Sequence, residues 1–130
     1  GYEAPTEPGQ RLAATTRVVA AEGINIGMVH DIQWPGPRVM TNADATGLIF
    51  PEGDGREVLA RKFGQPVDVV LFGDTHQELI CHYDGVLLVN PGSPTYPARR
   101  RPGALGTLGL LEVETGVVTV SLVDLQVELL

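Results

Sequence analysis

Val67-Asp68-Val69-Val70-Leu71-Phe72-Gly73-Asp74-Thr75-His76 is the stretch on which the fold turns. Its first six residues are apolar except Asp68, a run too short for a typical helix and suited to a central strand buried on both faces. Gly73 then permits a close approach or a left-handed turn and hands the chain to a carboxylate and an imidazole. Polar residues directly after a buried strand stand where α/β sheets place ligands, outside the carboxyl ends of their strands.

The flanks agree with that reading. Asp54, three residues before Glu57, has the form of a helix N-cap with a reciprocal partner. Val58, Leu59 and Phe63 then share one helical face until Gly64 and Pro66 stop a helix of about two turns. Thr16 to Ala21 and Ile24 to His30 read as β-branched-rich strands joined by a tight Glu22-Gly23 turn. Residues 32 to 53 hold Trp34, three prolines and three glycines without a period, so a long loop with one apolar piece at Leu48 to Phe50 is expected. Glu78 to Tyr83, Val86 to Asn90, Thr107 to Glu114 and Val117 to Leu125 read as strands, with Asp84-Gly85 and Thr115-Gly116 as hairpin turns. Residues 1 to 14 read as an extended lead-in. The expected class is α/β, strand-rich, with one clear helix.

Bulk composition bounds the function. With 130 residues, 43% hydrophobic and 19% charged, the chain suits one globular domain. Its net charge of −7 opposes a nucleic-acid surface. No apolar stretch approaches the ~18 residues of a spanning helix, so no membrane partner is expected. No basic leader precedes an apolar core, and the expected location is cytoplasmic. The single cysteine, Cys81, lies beside Leu79 and Ile80 and reads as a small buried residue.

The chemistry-bearing candidates gather at strand ends. His30 closes the apolar run Ile24 to Val29; alone, a histidine there is more often a satisfied buried side chain than a ligand. Asp74 and His76 lie two apart, so on an extended segment both would project to one side, within reach of a common ion. Thr75 between them can hold the loop through its hydroxyl. Asn90-Pro91-Gly92-Ser93 is a plain turn by composition. Its position so soon after His76 lets it close the same pocket, with Asn90 and Ser93 as loop or substrate support. Arg99, Arg100 and Arg101 form a basic run that reads first as a solvated loop; alternatively one guanidinium, Arg99, faces a phosphate. Trp34 reads as a cover for the site or an exposed anchor, and His82 as structural.

Together, the histidine-ended strand, Gly73-Asp74-Thr75-His76 and Asn90-Pro91-Gly92-Ser93 resemble the small single-domain phosphodiesterases of the calcineurin-like metallophosphoesterase superfamily, over residues 16 to 125. The resemblance implies a two-sheet β-sandwich flanked by helices. It also implies a metal-dependent phosphoesterase, phosphodiesterase or phosphatase, in which two divalent metals, often manganese, activate a bridging water that attacks phosphorus. A small phosphoester would be the substrate. It assigns His30 to one metal and His76 to the other, as catalytic ligands, and places Asp74 where the family's Gly-His-x-His motif has its first histidine. That substitution favours a harder, oxygen-rich site or marks a decayed one.

The family's ligands from earlier in the chain have no match here. The expectation is therefore that residues 1–130 are the C-terminal portion of one such domain, lacking N-terminal strands and helices, with the rest of the site upstream. The alternative is a non-catalytic protein-binding scaffold on the same fold, as in the retromer subunit that resembles these enzymes. A homo-oligomer or a partner chain would then cover the exposed sheet.

Overall fold

The computed structural model describes residues 15–98 and 105–125. Strands β1 (Thr16–Ala21) and β2 (Ile24–Val29) form an antiparallel hairpin. Glu22 and Gly23 close it at φ 49° and 81°, the left-handed pair that matches strand twist. The expected hairpin is present, with its ladder ending one residue before His30.

Between residues 32 and 53 the sequence predicts an irregular loop, and the structure adds a small hairpin there. It pairs β3 (Met40–Thr41) with β4 (Leu48–Ile49). Asn42 Oδ1 accepts from the N–H groups of Thr46 at 2.8 Å and Gly47 at 3.2 Å. This side-chain-closed turn leaves no hydrophobic period in the sequence. The Tyr83 hydroxyl fastens the hairpin to the main sheet, donating to Leu48 O at 3.0 Å and accepting from Leu48 N–H at 3.2 Å.

Helix α1 (Gly55–Phe63) starts where its cap predicts: Asp54 is extended, and its Oδ1 accepts from Glu57 N–H at 3.0 Å. Gly64 ends it at φ 78°. Val58, Leu59 and Phe63 are buried, and each such side chain contributes roughly 1.5–3 kcal/mol by leaving water.

The remaining strands are β5 (Val69–Leu71), β6 (Leu79–Tyr83), β7 (Val86–Asn90), β8 (Thr107–Glu114) and β9 (Val117–Asp124). The main sheet runs β1-β2-β5-β7-β6, and β8 pairs with β9 alone. β2, β5 and β7 are parallel neighbours, with Met28 beside Leu71 and Leu71 beside Val89. Asp68, the one polar residue of the apolar run, stitches the entry of β5 to that of β2. Its Oδ2 accepts from Asn25 N–H at 2.8 Å, and its own N–H donates to Asn25 O at 2.8 Å.

Both faces of the central strands are covered, while Val19 of β1 and Ile80 of β6 stay exposed. On one face, α1 and the β3–β4 region bring Val39, Leu48, Val58, Leu59 and Phe63 against Val29, Val70 and Leu88. Gly27 leaves room for the Phe63 ring, whose Cε1 would stand 2.9 Å from a Cβ at that position. On the other face Leu111, Val113, Val118 and Val120 of the β8–β9 hairpin cover Ile26, Val69, Leu87 and Val89. Its turn meets that of the first hairpin, Gly116 N–H donating to Glu22 O at 2.9 Å. The result is a two-sheet α/β sandwich with a helix on its outer face, as the sequence implies.

Candidate active site

Three parallel strands in a row must end at the same edge of the sheet, and β2, β5 and β7 do. Two residues beyond the paired Met28 and Leu71 lie His30 and Gly73, and Gly73 N–H donates to His30 O at 2.8 Å. One residue beyond Val89 lies Asn90. His30, the Gly73 to His76 stretch and the Asn90 turn thus converge at the carboxyl ends of the parallel strands.

Residues 73 to 76 are not extended, so Asp74 and His76 do not project to one side as their spacing predicts. Asp74 has φ 73° and His76 φ 62°. Thr75 N–H donates to Gly73 O at 2.9 Å, closing a tight turn around Asp74. Left-handed backbone at residues other than glycine costs on the order of 1–3 kcal/mol and persists where surrounding contacts enforce it. Asn90 supplies that enforcement. Fully buried, it donates through Nδ2 to Gly73 O at 3.2 Å and to Thr75 Oγ1 at 3.0 Å. Its Oδ1 accepts from Gly92 N–H at 3.0 Å. Thr75 Oγ1 also accepts from Gln77 N–H at 3.2 Å. Asn90 is therefore loop support, and Thr75 is the post it ties.

The turn sends Asp74 and His76 different ways. Asp74 Oδ1 stands 3.4 Å from His30 Nε2, with the side chains 46% and 70% exposed. At such exposure the pair adds little stability of its own. The spacing has a chemical meaning: two ligand atoms each about 2.1 Å from one ion stand roughly 3.0 Å apart in octahedral and roughly 3.4 Å in tetrahedral geometry. His30 and Asp74 fit as neighbouring ligands of one divalent cation.

His76 faces the loop after β7. Its Nδ1 lies 2.8 Å from Tyr96 O, and its carbonyl accepts from Ala98 N–H at 3.4 Å. A carbonyl only accepts, so Nδ1 carries the proton and Nε2 keeps the lone pair, the way ligating imidazoles are commonly oriented. Ser93 Oγ accepts from Tyr96 N–H at 3.0 Å and so shapes this loop. Among the described residues no three His, Cys, Asp or Glu side chains gather closely enough to hold an ion. Of the candidate ligand atoms, only His30 Nε2 and Asp74 Oδ1 are shown facing each other among the described residues, a donor pair of a type that suits a divalent ion but fewer than such an ion needs.

Several contributors escaped sequence reasoning. Tyr96 acts on His76 through a backbone carbonyl, which every residue type carries. Thr107, at the start of β8, donates to Pro91 O at 2.7 Å and lies 3.0 Å from Glu78 Oε1, tying the second sheet to the Asn90 turn. Nothing local marks it. Lys62 is a buried cation donating to Pro35 O in the loop after His30. Burial lowers its pKa, opposed by the nearby Asp31 and Glu52 carboxylates. Cys81 is half-buried against the helix-side core, and burial pushes its thiol pKa up, which suits a packing role. Trp34 is exposed in the loop after His30, and His82 is exposed on β6. Arg99, with the rest of the basic run, lies outside the described residues.

Comparison with known proteins follows the same line. A "Probable metallophosphoesterase" of Methanothermobacter thermautotrophicus is 27% identical over 90 residues, covering 69% of this chain and 43% of its own length. A mutant Vps29 from Entamoeba histolytica superposes with a TM-score of 0.53 at 22% identity, covering 88% of this chain and 63% of that one. A Thermotoga maritima protein aligns at TM-score 0.49 and 27% identity, over 85% and 54% of the two chains. The chain thus spans about half the length of these relatives. The family description "Calcineurin-like phosphoesterase superfamily domain" matches residues 3–116, starting earlier and ending sooner than the 16 to 125 read from motifs. With most of its length matched, and with the sandwich and strand-end turns in place, the chain belongs to the calcineurin-like phosphoesterase superfamily.

Proposed function

We propose that this protein is the C-terminal part of a metal-dependent phosphoesterase acting on a small phosphoester. The observation that carries it is the facing of His30 and Asp74 at 3.4 Å, at the ends of two parallel neighbours. His30 and Asp74 would hold one divalent ion, and His76, with its Nδ1 proton engaged by Tyr96 O, would offer Nε2 to a second. A carboxylate beside an imidazole is compatible with manganese, the ion we assign. When bound, such ions supply an activated water and offset negative charge on the phosphoryl oxygens. Asn90 holds the backbone of the ligand turn, and Thr75 fixes its middle. The remaining ligands would come from protein outside these 130 residues. We assign the protein to the cytoplasm; among the described residues no helix is long and apolar enough to cross a membrane.

Hydrolysis of bis(4-nitrophenyl) phosphate by the full-length protein tests this reading. Turnover is expected with manganese and is expected to vanish in His76→Ala; turnover that survives this substitution refutes the assignment. A second reading, a non-catalytic protein-binding scaffold, draws on the outer face of the β8–β9 hairpin. Leu108, Leu110 and Val123 alternate with the inward residues and are exposed there. A folded full-length protein that binds no metal, hydrolyses nothing and associates through that face would favour it.

A further inference from the structure

Lys62 is a buried cation that the hydrolytic reading does not use. It sits in the last turn of α1 and is only 5% exposed. Lysine is rarely buried this far, because an ammonium leaves water at a cost unless polar groups meet it. The groups that meet this one lie at the two ends and the middle of one loop. Its Nζ donates to Pro35 O, and the Asp31 and Glu52 carboxylates act on its charge. Asp31 directly follows His30 and closes the turn by which the chain leaves it. Its Oδ1 accepts from Gln33 N–H at 2.9 Å, and its carbonyl accepts from Trp34 N–H at 3.1 Å. Ile32, 2% exposed, seats that turn in the helix-side core. Glu52 in turn accepts from Arg38 N–H through Oε2. The ammonium thus gathers the loop after His30 onto α1.

The His30 side chain is 70% exposed, so its direction depends largely on the backbone that carries it. On the sheet side Gly73 N–H holds its carbonyl. On the other side the chain runs straight into the turn that Lys62 gathers. We infer that Lys62 is a positioning residue, whose buried ammonium fixes the turn at residues 31–35 and so keeps His30 facing Asp74. The inference rests on the phosphoester reading of the site. A lysine here serves position more than stability. Pro35 is only half-buried, so water can take the place of the ammonium at its carbonyl, and replacing a buried charge by an apolar side chain of similar length is often neutral or stabilising.

The test compares full-length wild type with Lys62→Met, which keeps an unbranched stem, and with Asp31→Asn, which leaves the core untouched and keeps an acceptor for Gln33 N–H. In metal-free protein, amide nitrogen relaxation is expected to show residues 31–35 as rigid as β2 in the wild type and mobile in Lys62→Met, with a urea midpoint at pH 7 that is unchanged or higher. Asp31→Asn should loosen the same turn. Manganese affinity by calorimetry is expected to fall about tenfold in Lys62→Met, as when the support of a ligand is removed. A turn that stays rigid in Lys62→Met, or an unchanged manganese affinity, overturns the positioning role while leaving the phosphoester reading standing. So does a urea midpoint that falls together with the affinity, since Lys62 would then act through stability alone. If Lys62→Met does not fold, a rigid turn in Asp31→Asn overturns the inference and a mobile one supports it. Wild-type protein that binds no manganese overturns both the inference and the reading beneath it.

Discussion

Asn90→Ala is the substitution that tests the site's construction most directly. The wild-type side chain makes three hydrogen bonds from a position without solvent. Not all three partners are orphaned by its removal. Gly73 O still accepts from Thr75 N–H, and Thr75 Oγ1 still accepts from Gln77 N–H. Gly92 N–H loses its Asn90 partner. A part-buried donor left unsatisfied costs about 1 kcal/mol, and the volume vacated by a fully buried side chain adds to it, so a loss of about 2–3 kcal/mol is expected. For a domain of this size that lowers the thermal midpoint by roughly 10 °C. Asn90→Asp keeps the acceptor for Gly92 but turns an anionic oxygen toward Gly73 O and Thr75 Oγ1. It should therefore be the less stable variant at pH 8 and recover toward Asn90→Ala as pH falls and the carboxyl protonates. Urea melts at pH 8 and pH 5 read both effects. An Asn90→Ala protein within about 0.5 kcal/mol of wild type, or an Asp variant insensitive to pH, would mean that the network does not hold the turn.

Other substitutions probe separate links. Gly92→Ala combines φ 78° with a Cβ that would collide with Thr107 Oγ1, and should cost about 2 kcal/mol or more and break the bond to Pro91; unchanged stability would contradict that packing. Asp54→Ala removes the bond to Glu57 N–H and should cost about 1 kcal/mol, read from the urea midpoint. Lys62 has a folded pKa below its ordinary 10.5 because burial disfavours the charge. Between the folded and unfolded values the unfolded chain holds more protons, so this group makes stability rise with pH toward 10.5 and withdraws that gain as pH falls through the folded value. Lys62→Met should lack that alkaline rise, and equal pH slopes in the two proteins would contradict the burial argument.

Much of the scaffold is legible locally because its causes are local. Asp54 caps α1 and Gly64 ends it within the helix's own neighbourhood. The pairs Glu22-Gly23, Asp84-Gly85 and Thr115-Gly116 turn hairpins because their backbones must be left-handed. The buried run Val67 to Phe72 announces a central strand through its lack of alternation. The β3–β4 hairpin was not legible, since Asn42 and Tyr83 make it through side-chain bonds that leave no periodic pattern.

The sequence by itself determined the helix, the longer strands, the family and the stretches that carry the site, because strand burial, caps and motif spacing are properties of consecutive residues. Tertiary structure decided how those stretches meet. The parallel order β2, β5, β7 brings His30, Asp74 and Asn90 to one edge from positions far apart in the chain. Asn90 then forces Gly73 to His76 out of the extended conformation, turning Asp74 toward His30 and His76 toward Tyr96. No spacing rule reports that division, because it arises from hydrogen bonds between segments that become neighbours only when the sheet forms.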